Sequence, residues 1–258
     1  MPNTYYAPYG KQWETFAEPA LSNAGARPLG ALLILPDERE YRYTLANATA
    51  RVAGNLYSSV ALVADHANVV STAARAIGAI VLSATLGATL AAIDIYSEGI
   101  VHTNDLTGEG YAFRIKRAIA EGQAHAAVAA SGVITVNLEA GETIQVATIA
   151  TTDLTFSRNR FHQAVITPTS VWSQIAGVAA GAAAGDRYYY SQTKGEAAVL
   201  ADGVLIAGLS VMPSNGTAGS VEAWGLAEAA PPTEITSIVG RCIKINATTD
   251  YALIDLFI

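Results

Sequence analysis

The chain has 258 residues, of which 51% are hydrophobic and only 14% charged, with a formal net charge of −7; an average domain is about 25% charged. That acidic balance, whose densest basic stretch is "RIKR" (Arg114 to Arg117), argues against nucleic-acid binding by counterion release. A single cysteine, Cys242, rules out an intrachain disulfide, so the fold stands on packing alone. The length suits one large β domain or two ordinary ones. Frequent Ala, Val, Ile, Thr and Gly leave a surface of small, weakly polar residues, suited to burial against copies of itself or a larger assembly.

Residues 1–28 read as an extended arm. Tyr5, Tyr6, Tyr9, Trp13 and Phe16 alternate with Pro2, Pro8, Gly10 and Pro19, which spoil helix and strand. Such a segment either folds back on its own core or lies over a partner, because aromatics carry large apolar area. A basic n-region followed by an apolar core is missing from "MPNTYYAPYGKQWETF", so no secretory signal is expected.

From Gly30 the pattern is β. "ALLILPDEREYRYTLA" predicts a strand, a Pro-Asp turn and a second strand, and "NLYSSVALVAD" continues it. "HANVVSTAARAIG" could form a short helix. Ala76 to Ile93 passes without a charge, close to the about 18 residues a spanning helix needs, but its glycines, threonines and serine favour a buried strand pair. "IDIYSEGIVHTNDLTGEGYAFRIKRA" reads as strands separated by glycine turns, and the alanines of "IAEGQAHAAVAASG" allow one helix. "GVITVNLEAGETIQVATIATTDLTF" reads as a strand, a Gly-Glu turn and another strand; with "GAIVLSATLGATLAAIDIY" it makes a weak internal repeat.

A boundary is expected at residues 160–170, dividing a 29–165 β-rich domain from a 166–258 barrel or sandwich domain. In the latter, Lys194-Gly195 and Asp202-Gly203 read as turns, "VLIAGLSV" as a buried strand, and "IVGRCIKINATTDYALIDLFI" as the closing strand pair. Short strands with Gly and Pro turns at this density predict an all-β fold with minor helix, built of sandwich or barrel domains.

No nucleophile elbow, zinc-protease, P-loop or C-x-x-C motif is present. His66, His102, His125 and His162 are scattered singly, as surface or hydrogen-bonded loop residues. Asp94, Glu98, Asp105 and Glu109 fall in one β-turn-β region, but no calcium loop organises them and they read as solvated turn residues. Tyr188, Tyr189 and Tyr190 alternate faces on a strand, so they form no single platform; two are expected inside and one at a surface or interface. Cys242 reads as a small core residue. No catalytic residue, cofactor or metal site is expected, and the chain reads as a non-enzyme with neither nucleic acid nor membrane as partner.

"RYYYSQTKGEAAVLADGVLIAGLSVMPS", followed by "IVGRCIKINATTDYALIDLFI", resembles the C-terminal part of virion structural proteins of tailed bacteriophages, most of all capsid decoration (cement) proteins. "GEGYAFRIK" and "VNLEAGETIQVATIATTDLTFSRNRF" also fit that pattern. The likeness covers roughly the last 160 residues and consists of strands and turns, not a catalytic signature. Small decoration proteins are often single barrels of about half this length, so the arm and the first β region have no counterpart. The resemblance implies a homotrimer on the capsid surface of the virion, assembled in the host cytoplasm and bridging neighbouring major capsid protein subunits. Tyr5, Tyr6, Tyr9 and Trp13 are the expected contact residues. The alternative is a carbohydrate-binding or head-fibre module using Trp172, Trp224 or the tyrosines.

The chain closes on "ATTDYALIDLFI", apolar to its last residue. Ala252, Ile254, Leu256 and Ile258 share one face; Tyr251, Leu253, Asp255 and Phe257 share the other. An ordinary edge strand would have a polar outer face. This one is expected to be covered on both sides, either centrally in a sandwich or at a subunit seam, with Asp255 in need of a partner.

Overall fold

The computed structural model describes residues 27–170, 173–224, 237–245 and 250–258. The protein is nearly all β, as the pattern predicts, and its antiparallel sheets are curled. It divides into two compact units, and the division is not linear. Leu29–Ala61 and Arg160–Ile258 form the first, and Leu62–Asn159 forms the second as an insertion.

The first unit is built on a ten-stranded sheet. Strands β1 (Leu32–Ile34) and β2 (Glu40–Leu45) pair across the expected Pro-Asp turn, with Leu33 opposite Tyr41. β2 continues onto β12 (Tyr188–Leu200), and β3 (Leu56–Ser58) pairs with β10 (Val165–Ile166) and β11 (Ile175–Ala179). These long-range pairings overturn the expected split at residues 165–166: the early strands have no sheet of their own and complete the late one. Beyond β12 lie β16 (Tyr251–Phe257), β15 (Gly240–Lys244), β13 (Ser210–Pro213) and β14 (Val221–Ala223).

β12 is the spine of this unit. Its first half lies against β2 and β11, and its second half pairs with β16 from Lys194 to Leu200. Lys194-Gly195, expected as a turn, instead lies inside a continuous 13-residue strand, just past a bulge between Gln192 and Lys194. Gly195 has φ +81, a left-handed conformation that suits glycine, and an added Cβ would sit 2.9 Å from the Arg39 Cγ. The Gln192 amide stabilises the bulge by donating to the carbonyls of Lys194, Gly195 and Glu196 at 3.2, 3.3 and 2.9 Å. "VLIAGLSV" is also corrected: residues before Ser210 form turns and Val204 is 70% exposed.

Two clusters fill this unit. One joins Leu33, Tyr41, Tyr43, Tyr57 and Tyr188 to Tyr190; the other joins Val199, Val211, Val221, Cys242, Ile254 and Leu256. Each fully buried large side chain contributes roughly 1.5–3 kcal/mol.

The second unit holds a four-stranded sheet, ordered β4 (Val69–Val70), β9 (Asp153–Ser157), β6 (Ile100–Asp105), β7 (Ala112–Arg114). A separate pair joins β5 (Val81–Thr85) and β8 (Val133–Asn137). The two segments of the weak repeat therefore pair with each other, and the Gly-Glu turn after β8 closes no hairpin. Leu82, Val101, Phe113, Ile134, Val136, Leu154 and Phe156 lead its core.

Neither expected helix forms. A 3₁₀ turn, Ala64–His66, precedes β4, and residues 118–132 run as turns. Alanine propensity gives way there because the backbone N–H groups of Gly122, Ala124 and His125 donate to the Asp94 carboxylate, at 2.5, 2.9 and 3.1 Å. The uncharged run 76–93 contains β5, and among the described residues no helix is long and apolar enough to cross a membrane.

Candidate functional site

The closing strand is where sequence and structure differ most usefully. β16 is internal to its sheet, with β12 on one side and β15 on the other. Ala252, Ile254 and Leu256 point into the core and are buried. The opposite face is open: Tyr251 is 44% and Phe257 54% exposed, Asp255 is exposed and Leu253 half-buried. Among the described residues the strand is thus covered on one face only. The second layer that the sandwich alternative expects over this face is not formed by the described residues.

Strand register assigns the neighbours on that face. Phe257 lies opposite Lys194, Asp255 opposite Glu196, Leu253 opposite Ala198 and Tyr251 opposite Leu200. From the other side, Arg241 lies opposite Asp255, and Lys244 opposite Leu253 past a bulge. Ile243, at that bulge, is 41% exposed. The Tyr251 ring lies against Gly54, which has no Cβ to hold it off.

Charge on this face is unevenly settled. Glu196 and Asp255 are like charges directly opposite each other, an arrangement that disfavours the pairing. Arg241 lies opposite Asp255 in register on the far side. Lys194 is committed to Glu40 at 3.0 Å, and that hydrogen bond raises its ammonium pKa. Glu196 flanks a row of exposed apolar groups, and the ammonium of Lys194 on the same strand face is paired with Glu40. Such a surface, aromatic and aliphatic with interspersed charge, can dock protein; it offers no enclosed volume for chemistry.

The expected contact residues Tyr5, Tyr6, Tyr9 and Trp13 lie outside the described residues, as does Trp172. Tyr188, Tyr189 and Tyr190 are all buried, which corrects the expectation that one would face outward. Tyr43 stacks on Tyr188 at 5.1 Å and meets Tyr190 edge-on at 5.4 Å. Tyr189 packs on Tyr57, and the Arg51 guanidinium lies 4.4 Å above the Tyr57 ring. The sheet is covered on both faces here, and burial raises the Tyr189 hydroxyl pKa. Cys242 is a buried core thiol, as expected, with its pKa pushed up by burial.

The second unit carries a buried polar cluster. Asp94 and Glu98, expected as solvated turn residues, are both buried. Asp94 is tied to the three backbone donors above, and Glu98 pairs with Arg114 at 3.4 Å and Arg117 at 3.3 Å. Asp105 and Glu109 are exposed, so the four carboxylates do not converge. His66 and His125 are buried on either side of Tyr96, whereas His102 and His162 are half-buried elsewhere. Among the described residues, no group of His, Cys, Asp and Glu could hold a metal ion. These contacts tie turns together by hydrogen bonding.

The alternation of "GEAAVL" puts Glu196, Ala198 and Leu200 on one face and could have been read from the sequence. That Glu196 meets Asp255 could not, because register between distant strands has no local signature. The chain matches no protein-family model, no curated protein and no solved structure.

Proposed function

We propose that this chain is a non-enzymatic virion structural protein of a tailed bacteriophage. It decorates the capsid as a homotrimer and bridges neighbouring major capsid protein subunits. The observation that carries the assembly part is the open face of β16, where Tyr251 and Phe257 stand exposed beside Glu196, which makes no ion pair among the described residues. Copies of the chain are the occupant of that face, since it also offers Arg241 and Lys244 as cations for a neighbour's carboxylates. Contacts that close into a ring are heterologous, as three-fold assembly requires. Support for the capsid part is the resemblance of roughly the last 160 residues, most of all 187–258, to decoration proteins. A protein that binds across seams between subunits stabilises a shell by mass action, with no chemistry. The arm residues Tyr5, Tyr6, Tyr9 and Trp13 are assigned the capsid contact.

The test is binding to expanded, undecorated phage shells, read by electron microscopy. Added density at three-fold or quasi-three-fold positions is expected, with occupancy lowered by removing residues 1–16. Shells without added density, together with a strict monomer in light scattering, refute the proposal. A carbohydrate-binding or head-fibre module is the second reading. Trp224 favours it, being 50% exposed at the end of β14, whereas the buried tyrosines do not. A glycan array without signal removes it.

A further inference from the structure

The unit Leu62–Asn159 contains a hydrogen-bond chain centred on Tyr96, which is 1% exposed. Its backbone N–H donates to His125 Nε2 at 3.2 Å, and the other ring nitrogen of His125, Nδ1, lies 2.8 Å from the Ala126 carbonyl oxygen. A carbonyl can only accept, so Nδ1 carries the proton; an amide N–H can only donate, so Nε2 must be bare. His125 therefore fits its site only as the neutral Nδ1–H ring. A second proton would set N–H against N–H and break the Tyr96 contact.

His66 is built differently. Its Nε2 donates to the Thr89 carbonyl at 2.9 Å and its Nδ1 meets the Tyr96 hydroxyl, which can reverse its role from donor to acceptor. His66 tolerates a proton with one hydroxyl rotation; His125 does not.

We propose that His125 is an acid-sensitive latch: its protonation frees Tyr96 and loosens the 94–97 and 122–126 turns of this unit, ahead of the ten-stranded sheet. Asp94 belongs to the 94–97 turn and binds the His125 backbone N–H, His66 comes from the 3₁₀ turn, and Arg158 follows β9, whose Phe156 packs on Tyr96. Burial lowers the His125 pKa, opposed by the Ala126 bond and Asp94 and assisted by His66. Burial likewise pushes the Tyr96 hydroxyl up to about 12, so it stays protonated throughout. The sign follows from linkage. Above the unfolded histidine value of about 6.5 both states are neutral and the latch is intact; below it the opened state takes the proton and the closed state is lost.

The experiment is hydrogen exchange by mass spectrometry at pH 7.5 and 5.0, corrected for intrinsic exchange rates. A proton excluded from the closed state favours opening by up to about 30-fold over that range. Peptides covering 91–97 and 122–128 are expected to lose protection by roughly 10- to 30-fold, and those covering 188–200 by less than about threefold. The variant His125→Gln keeps an acceptor at the same reach without titrating, and is expected to hold the change in the first set below about threefold. A wild-type change below threefold, or a full change in the variant, overturns the latch. Should the variant not fold, the wild-type His125 ring followed by NMR decides. A midpoint at or above 6.5 with the Tyr96 amide resonance unmoved overturns it, and loss of that resonance as the ring titrates below 6.5 supports it. The latch concerns the inserted unit alone and stands whatever the β16 face binds.

Discussion

Replacing Glu196 by Gln separates the stability of the chain from its assembly. Glu196 and Asp255 face each other across β12 and β16, on an exposed surface. Directly opposed side chains have Cβ atoms about 4.5–5.5 Å apart. Two like charges roughly 6 Å apart in water repel by about 0.7 kcal/mol. Glu196→Gln removes that repulsion and keeps the side chain's size. The isolated chain is expected to gain up to about 0.7 kcal/mol, read as a higher urea midpoint at an unchanged slope, with protein dilute enough to be monomeric. The gain shrinks toward zero in 1 M salt, where the screening length falls to about 3 Å. Assembly is expected to move the opposite way, because the carboxylate that awaits a neighbour's Arg241 or Lys244 is gone. Sedimentation should show weaker association by up to about fivefold, the equivalent of a 1 kcal/mol exposed pair. A midpoint that falls at low salt refutes the register argument. Association that is unchanged or tighter refutes the assignment of this face to assembly.

Two further substitutions probe the same strands. Gly195→Ala places a Cβ at φ +81, against Arg39, and is expected to cost about 1–3 kcal/mol in the urea midpoint; a neutral result would mean that the bulge is not as described. Leu256→Ala and Phe257→Ala differ by one position on β16 but by a whole face. The first opens a cavity in a core residue and is expected to cost about 2–5 kcal/mol. The second is expected to change monomer stability by less than about 0.5 kcal/mol while weakening assembly. Equal costs for the two would show that Phe257 is buried within its own chain.

The all-β character was legible because turn chemistry and period-two alternation are local. Leu33 and Tyr41 alternate with half-buried neighbours in β1 and β2, and Ile134 and Val136 do the same with exposed or half-buried ones in β8. Lys194-Gly195 misled because glycine in a left-handed conformation serves a turn and a bulge equally; only partner strands on both sides decide which forms. The alanine run at 118–132 misled because propensity is a weak prior against three backbone donors satisfied by one buried carboxylate. The insertion was illegible for a deeper reason. Nothing in Leu29–Ala61 announces that β2 will find its partner at Tyr188, more than a hundred residues on.

The candidate site was half legible. Asp255 stands out in the sequence as a lone charge on an apolar strand, and that oddity is real, but its meaning is reversed. A buried carboxylate would have required a partner within the chain; instead Asp255 is exposed, opposite Glu196 on one side and Arg241 on the other, and Glu196 makes no ion pair among the described residues. Hydrophobic alternation cannot separate a strand covered by its own fold from one covered by a neighbour, because the same side chains serve both. The distinction comes from which layers the chain supplies. Here it supplies a core for Ala252, Ile254 and Leu256 and no layer of described residues for Tyr251 and Phe257. An exposed aromatic such as Phe257 gains nothing from water. In the proposed assembly its burial comes from a second copy, and the opposed carboxylates Glu196 and Asp255 beside it favour a positive charge from that copy.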